Sequence, residues 1–350
     1  MRSSNVIIDG HEDIAFNSLI LHRNFLLSAH ENRLKGVDSK SGSPTVGLPD
    51  LIEGNVRVVF GTIWMPPCLP GVGEQPCYRT PTEAYDMAIE QLDYYKDLAS
   101  QGYVKLILTR RDLKSVLENQ NQIGIVLLME GADPVLSPEN VHDWYAQGLR
   151  ILAPSWMGTR YAGGTHMPGP LTDAGRELMR ELEKSQLILD ISHMSEESFF
   201  EALSLFPGTV IASHSNCRAF VSTDRQLSDE MIRALISRDG VIGAVFNNPF
   251  LVNGWNETGK VKSQVTLGHV VQHVRHICNI AGDALHVAIG SDLDGGFGVE
   301  NTPAEIDTVA DLGKLALALS SNGFSDEDVV GVMRGNWMRI LKKALPPETS

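Results

Sequence analysis

The chain has 350 residues, 43% of them hydrophobic, and its 29 basic against 43 acidic side chains leave a net charge of −14. A chain this long can bury a sizeable core, while so large an acidic excess repels phosphate and argues against nucleic acid or an anionic membrane surface as partner. No run approaches the roughly 20 apolar residues of a membrane span.

The N-terminal "MRSSNVIIDGHED" lacks the apolar centre of a signal peptide. The C-terminal "KKALPPETS" is not a lipid-anchor signal, so a soluble cytoplasmic protein is expected. The first strand is expected at 5–10, "NVIIDG". Further apolar, β-branched runs follow at 57–63, 123–129, 149–154, 187–192, 209–213, 240–246 and 285–290. They are nearly continuous rather than alternating, as strands covered on both faces should be. Amphipathic helices with Ser/Thr caps are expected at 81–103, 171–186, 194–206 and 227–240, and two more at 303–321 and 325–344 close the chain. Eight strands alternating with helices predict an α/β fold, a (β/α)8 TIM-type barrel, in a single domain over 1–350. Long Gly/Pro-rich loops at 65–80 and 155–170 are placed to shape a site. Cys68 and Cys77 flank the first loop; in a reducing cytosol they and Cys217 and Cys278 are expected as free thiols.

Ionisable residues gather where these strands end. Strand one runs into Asp9, His11, Glu12 and Asp13, strand three into Glu130, strand five into His193, strand six into His214, and strand eight into Asp292 and Asp294. The C-terminal strand ends of such a barrel form the face on which sites are built. His11 and Asp13, two apart in extended chain, point the same way. With Glu130, His193 and His214 they make three imidazoles and two carboxylates, a set suited to one or two divalent ions, zinc first. Five ligands are too many for one catalytic zinc and suit two ions with Glu130 as the bridge. Such ions lower the pKa of a shared water, and Asp292 is placed to act as general base and acid. Arg218 and Arg225 each offer a guanidinium for a substrate carboxylate. His269, His273 and His276 share one helix face, but that helix belongs to the outer ring and the trio is read as a solvated or packing face.

"DGHED", "MEGA", "LILDISHMSEESF", "VIASHSNCRAF", "IGSDLDGG" and "GNWMRIL" together resemble the membrane (renal) dipeptidases of the amidohydrolase superfamily, over nearly the whole chain. The resemblance implies a dipeptidase with two zinc ions. His11 and Asp13 would ligate one ion and His193 and His214 the other, with Glu130 bridging and Asp292 as catalytic carboxylate. It matches Arg225 to the residue that holds the substrate's terminal carboxylate, and implies tolerance of a D-residue at the C-terminal position and a homodimer. Three positions depart from the family pattern. Trp156 stands where a carbonyl-polarising His is expected, "EGAD" replaces Glu-Gly-Gly-His, and Glu12 replaces Asn. Indole offers one neutral donor, so Arg160, four residues on, is the candidate replacement electrophile. The altered substrate shell keeps open an amidohydrolase acting on another small amide substrate or a lactone, such as an N-acyl amino acid. A metal-binding protein without turnover is the third reading, against which Asp292 argues.

Overall fold

The structure, a computed structural model, describes residues 6–36, 41–69, 76–119, 122–255, 259 and 261–347. Eight parallel strands form the barrel: β1 (Ile7–Glu12), β2 (Val56–Trp64), β3 (Ile123–Glu130), β4 (Leu149–Ala153), β5 (Ile188–Asp190), β6 (Val210–Ile211), β7 (Ile242–Ala244) and β8 (Val287–Ile289). Each pairs with the next from β1 to β6, β7 pairs with β8, and β8 returns to β1. A single parallel bridge, Ala212 to Ile242, joins β6 to β7. All eight expected strands are therefore present, in a nearly closed barrel.

The apolar runs form strands because both faces are covered. Every residue of β1 to β4 is buried. Alternate side chains divide between two cores, as a period of two requires. Ile8, Val58, Phe60, Val126, Leu128 and Ile151 pack with Trp337, Ile340 and Leu341 of the last helix, Asn336–Ala344. Ile7, Val59, Ile125, Leu127, Leu152 and Leu189 pack against the helix layer. The expected caps are made: Thr80, Thr172, Ser195 and Ser228 each accept a backbone N–H of the first turn.

Near the mouth β1 is irregular. Asp9 pairs with Val59 and Glu12 with Gly61, so three steps on β1 face two on β2, a bulge that re-aims side chains. Gly10 lies in it. A Cβ there would sit 2.7 Å from the Ser213 carbonyl oxygen, and one at Gly243 or Gly290 would sit 1.9 Å from the same atom. Glycines of β1, β7 and the end of β8 thus surround one carbonyl.

Three expectations are corrected, and one short strand is additional. Cys68 and Cys77 form a disulfide, while Cys217 and Cys278 are free. The loop expected at 155–170 contains a hairpin, Ala162–Gly164 with Met167–Leu171. The helix expected from 303 begins as a 3-10 turn at Val309, because the Ile306 carbonyl before it is taken by the Lys262 ammonium and by the Thr302 hydroxyl. A short strand, Val104–Leu106, adds to the edge of β3. Among the described residues no helix is long and apolar enough to cross a membrane.

Candidate active site

Each expected ligand arrives at the C-terminal end of a barrel strand, and all are buried. His11 lies within β1 and Asp13 just beyond it; Glu130 is the last residue of β3; His193, His214 and Asp292 each stand three residues past their strands. Glu130 is central. Its Oε2 lies 3.7 Å from His11 Nε2, and its Oε1 lies 3.0 Å from His193 Nε2 and 3.2 Å from His214 Nε2. His11 Nε2 also lies 3.9 Å from Asp13 Oδ1 and 3.9 Å from Asp292 Oδ1.

Polar side chains behind the imidazoles turn their Nε2 atoms inward. Ser213 Oγ sits 2.8 Å from His214 Nδ1 and donates to Asp190 Oδ2 at 2.5 Å. A serine that donates to a carboxylate accepts from Nδ1–H, which leaves the His214 Nε2 lone pair free for a metal. Thr165 Oγ1 lies 3.1 Å from His193 Nδ1, and the Thr62 hydroxyl donates to Asp13. Sequence reasoning assigned none of Asp190, Ser213, Thr165 or Thr62. The signal for Asp190 was a carboxylate ending the apolar run "LILD".

Burial drives these groups toward their neutral forms. It lowers His11 to about 3, aided by the Arg225 charge, and holds His193 and His214 well below the usual imidazole range. Burial raises Asp13 to about 6, and raises Glu130 and Asp292 well above the ordinary carboxyl range, with the Asp13 charge adding to both. Three clustered buried carboxyls, together with orphaned His11 Nε2 and Glu130 Oε1, fit a site for positive charge. Two sets of donor atoms within 4.8 Å share Glu130, one with His11 and Asp13, the other with His193 and His214. These residues could hold divalent metal.

The site opens into a cavity of about 280 Å³ whose walls include Trp64, Trp156, Met157, Arg225, Asn247 and Phe250. The Trp156 ring packs edge-on to Trp64 at 5.0 Å and lies 6.2 Å from His193. Arg225 is buried. Its Nη1 donates to the Ser192 carbonyl and to Ser215 Oγ, and its Nη2 to the His214 carbonyl. Of five N–H donors, Nε–H and one on Nη2 are left over.

Other candidates lie elsewhere. Arg160 is not brought to the cavity: its Nη2 donates to the Asp133 and Val135 carbonyls and its Cζ lies over the Tyr161 ring. The expectation of a replacement electrophile at Arg160 is corrected, since the guanidinium is drawn to the carbonyls of the loop after β3. Arg218 pairs with Glu196 at 2.6 Å. Asp294 is a structural clamp that accepts from Thr45 and pairs with Arg23 at 3.1 Å. Asp9 accepts from Ser291, and buried Glu12 has its pKa pushed well up, first by burial and then by Asp9. The three-histidine face is packing: His273 bonds the Cys217 N–H, His276 pairs with Asp229, and His269 caps its own helix.

The sequence matches the family model "Membrane dipeptidase (Peptidase family M19)" over residues 1–346. The chain belongs to the membrane dipeptidase family. It is thus a hydrolase acting on peptide bonds, of the metallo-dipeptidase class. A Klebsiella pneumoniae protein described as uncharacterized, from the pqqA 5' region, is 30% identical, over 75% of this chain and 97% of its own length. An uncharacterized dipeptidase of Schizosaccharomyces pombe is 24% identical, over 96% of this chain and 80% of its own. The crystal structure of dipeptidase AC, a family M19 metallopeptidase, superposes with a TM-score of 0.80 at 25% identity, over 98% of this chain and 99% of that one. A metallopeptidase of Rhodobacter sphaeroides, liganded with a phosphinate mimic of L-Ala-D-Ala, superposes with a TM-score of 0.80 at 24% identity, over 97% and 99%.

Proposed function

We propose that this membrane dipeptidase family member hydrolyses dipeptides with two divalent ions, zinc by preference, and accepts a D-residue at the C-terminal position. One observation carries the two-ion reading: the two oxygens of Glu130 face different imidazoles, Oε2 toward His11 and Oε1 toward His193 and His214. His11 and Asp13 would hold one ion, His193 and His214 the other, and Glu130 would bridge. When bound, the ions supply Lewis acidity and water of lowered pKa. Asp292 takes the proton from the attacking water on its carboxylate and returns it to the leaving amine nitrogen. The spare Nε–H and Nη2–H of Arg225 take the terminal carboxylate, and Trp64 and Trp156 exclude water from the scissile amide. The dipeptide mimic bound by the Rhodobacter protein supports this substrate class.

The apolar wall of Trp64, Trp156, Met157 and Phe250 also favours a second substrate class, N-acyl amino acids, which share the amide and the carboxylate. A catalytic domain over the whole chain, assembled as a homodimer, completes the proposal. The Cys68–Cys77 disulfide speaks for an oxidising compartment rather than the expected cytoplasm. The test is elemental analysis joined to turnover on a panel of L,L- and L,D-dipeptides and N-acyl amino acids. Close to two divalent ions per chain and dipeptide cleavage are expected. Trace metal with none taken up on reconstitution overturns the two-ion site, and turnover of N-acyl amino acids alone selects the second class.

A further inference from the structure

One imidazole in the cavity lies outside the metal cluster. His166 lines the mouth from the tip of the hairpin. Gly164 pairs with Met167, so Thr165 and His166 form a two-residue turn. His166 takes φ 61°, the left-handed backbone that such turns ordinarily give to Gly or Asn. His enters it more readily than most non-Gly residues, and hydrogen bonds hold this turn in place. The Thr165 N–H donates to the His193 carbonyl at 2.9 Å, and Thr165 Oγ1 meets the His193 ring. The His166 N–H donates to Asp224 Oδ2 at 2.8 Å, and His166 Nδ1 lies 3.7 Å from Asp224 Oδ1. The backbone of the turn is thus tethered, while the imidazole is largely exposed, with Asp224 beyond hydrogen-bond distance of its Nδ1 and no hydrogen bond on its Nε2 among the described residues.

Asp224 is the chain neighbour of Arg225. The same short segment therefore seats His166 and supplies the guanidinium of the wall. Apart from His193 and His214, the basic side chains that line the cavity are His166 and Arg225. Asp13, Glu130 and Asp292 also line the cavity, so an anionic substrate group is best placed at these two side chains rather than against the carboxylates.

We propose that His166 is a substrate-binding residue which, through Nε2–H, shares the terminal carboxylate of the substrate with Arg225. It rests on the dipeptidase reading. The test compares metal-loaded wild type with His166→Gly, which keeps the left-handed turn without strain, and with His166→Asn, which also tolerates it. Each is assayed on the best dipeptide and on its C-terminal carboxamide. His166→Gly should raise KM for the dipeptide about tenfold, the order of one hydrogen bond to a charged group. Its kcat should stay within about twofold, and kcat/KM for the carboxamide should barely move. His166→Asn and Asp224→Asn should fall in between. Equal losses on both substrates, or an unchanged KM, overturn the assignment.

If wild type cleaves no dipeptide, the dipeptidase reading fails by itself. His166 is then decided by calorimetric titration of a phosphinate dipeptide mimic and its carboxamide. A roughly tenfold weakening of the carboxylate form alone in His166→Gly supports the role. Equal affinities, or no binding by wild type, overturn it.

Discussion

Asp292 shows how far one residue's surroundings set its use. It sits at φ 60°, a conformation that Asp tolerates better than most residues, with its carboxyl buried beside Asp13 and 3.9 Å from His11. Asp292→Asn keeps the size and removes the proton carrier. Turnover should fall by about 10²–10⁴ while metal content and melting temperature hold; near-wild-type kcat would remove Asp292 from the chemistry. Ser213 is a different case, since it touches no metal in the proposed scheme. It links His214 Nδ1 to Asp190, and Ser213→Ala cuts that link. Competition with a chelator should show metal held about 10–100-fold more weakly, and unchanged affinity would mean that Asp190 and Ser213 serve packing alone.

At the level of elements, the Cys68–Cys77 bridge spans nine positions, and just after it the Tyr78 hydroxyl donates to Asp133 at 2.6 Å. Closing a loop this short restricts the unfolded chain by about 2–3 kcal/mol. A Cys68→Ala/Cys77→Ala variant should lose that much in denaturant titration, and a loss below about 0.5 kcal/mol would show that neighbouring contacts already fix the loop. The barrel strands were legible in the sequence because burial on both faces leaves an unbroken apolar run. The hairpin was not, since "GGTHMPGPL" has neither alternation nor strand formers. Its backbone is held from outside: Ser195 and Ser198 hydroxyls donate to the Gly169 carbonyl, and Ser198 Oγ accepts the Gly163 N–H. Val104–Leu106 was hidden by its brevity. The ligands could be read as a set because each ends a strand. Sequence distance from Trp156 says nothing of the carbonyls that capture the Arg160 guanidinium, and a single loop histidine such as His166 carries no signal of its own.

For the molecule as a whole, the ligand cluster sets a pH response that metal should remove. In the metal-free protein Asp13, Glu130 and Asp292 are raised above their unfolded values of 3.8, 4.5 and 3.8. Between those values and the folded ones the native state binds more protons than the unfolded state, so stability falls as pH rises. His11, His193 and His214 are lowered from 6.5 and act oppositely, but only below pH 6.5. Asp13, at about 6, is already ionised above it, so there only Glu130 and Asp292 act, each up to its own raised value. Chelated protein should therefore lose melting temperature as pH rises above 6.5, and the metal-loaded protein should not. Parallel curves would mean that the cluster does not couple metal to folding. The three glycines that surround the Ser213 carbonyl bear on redesign. The mouth of this barrel looks like the place to graft new specificity, and its walls can accept exchange of one side chain for another. Gly10, Gly243 and Gly290 cannot, although they contact no ligand: a methyl group on any of them displaces Ser213, and with it the next residue, His214. In a saturation-mutagenesis map they should form a ring of intolerance beneath a permissive rim, setting the depth to which the site can be rebuilt.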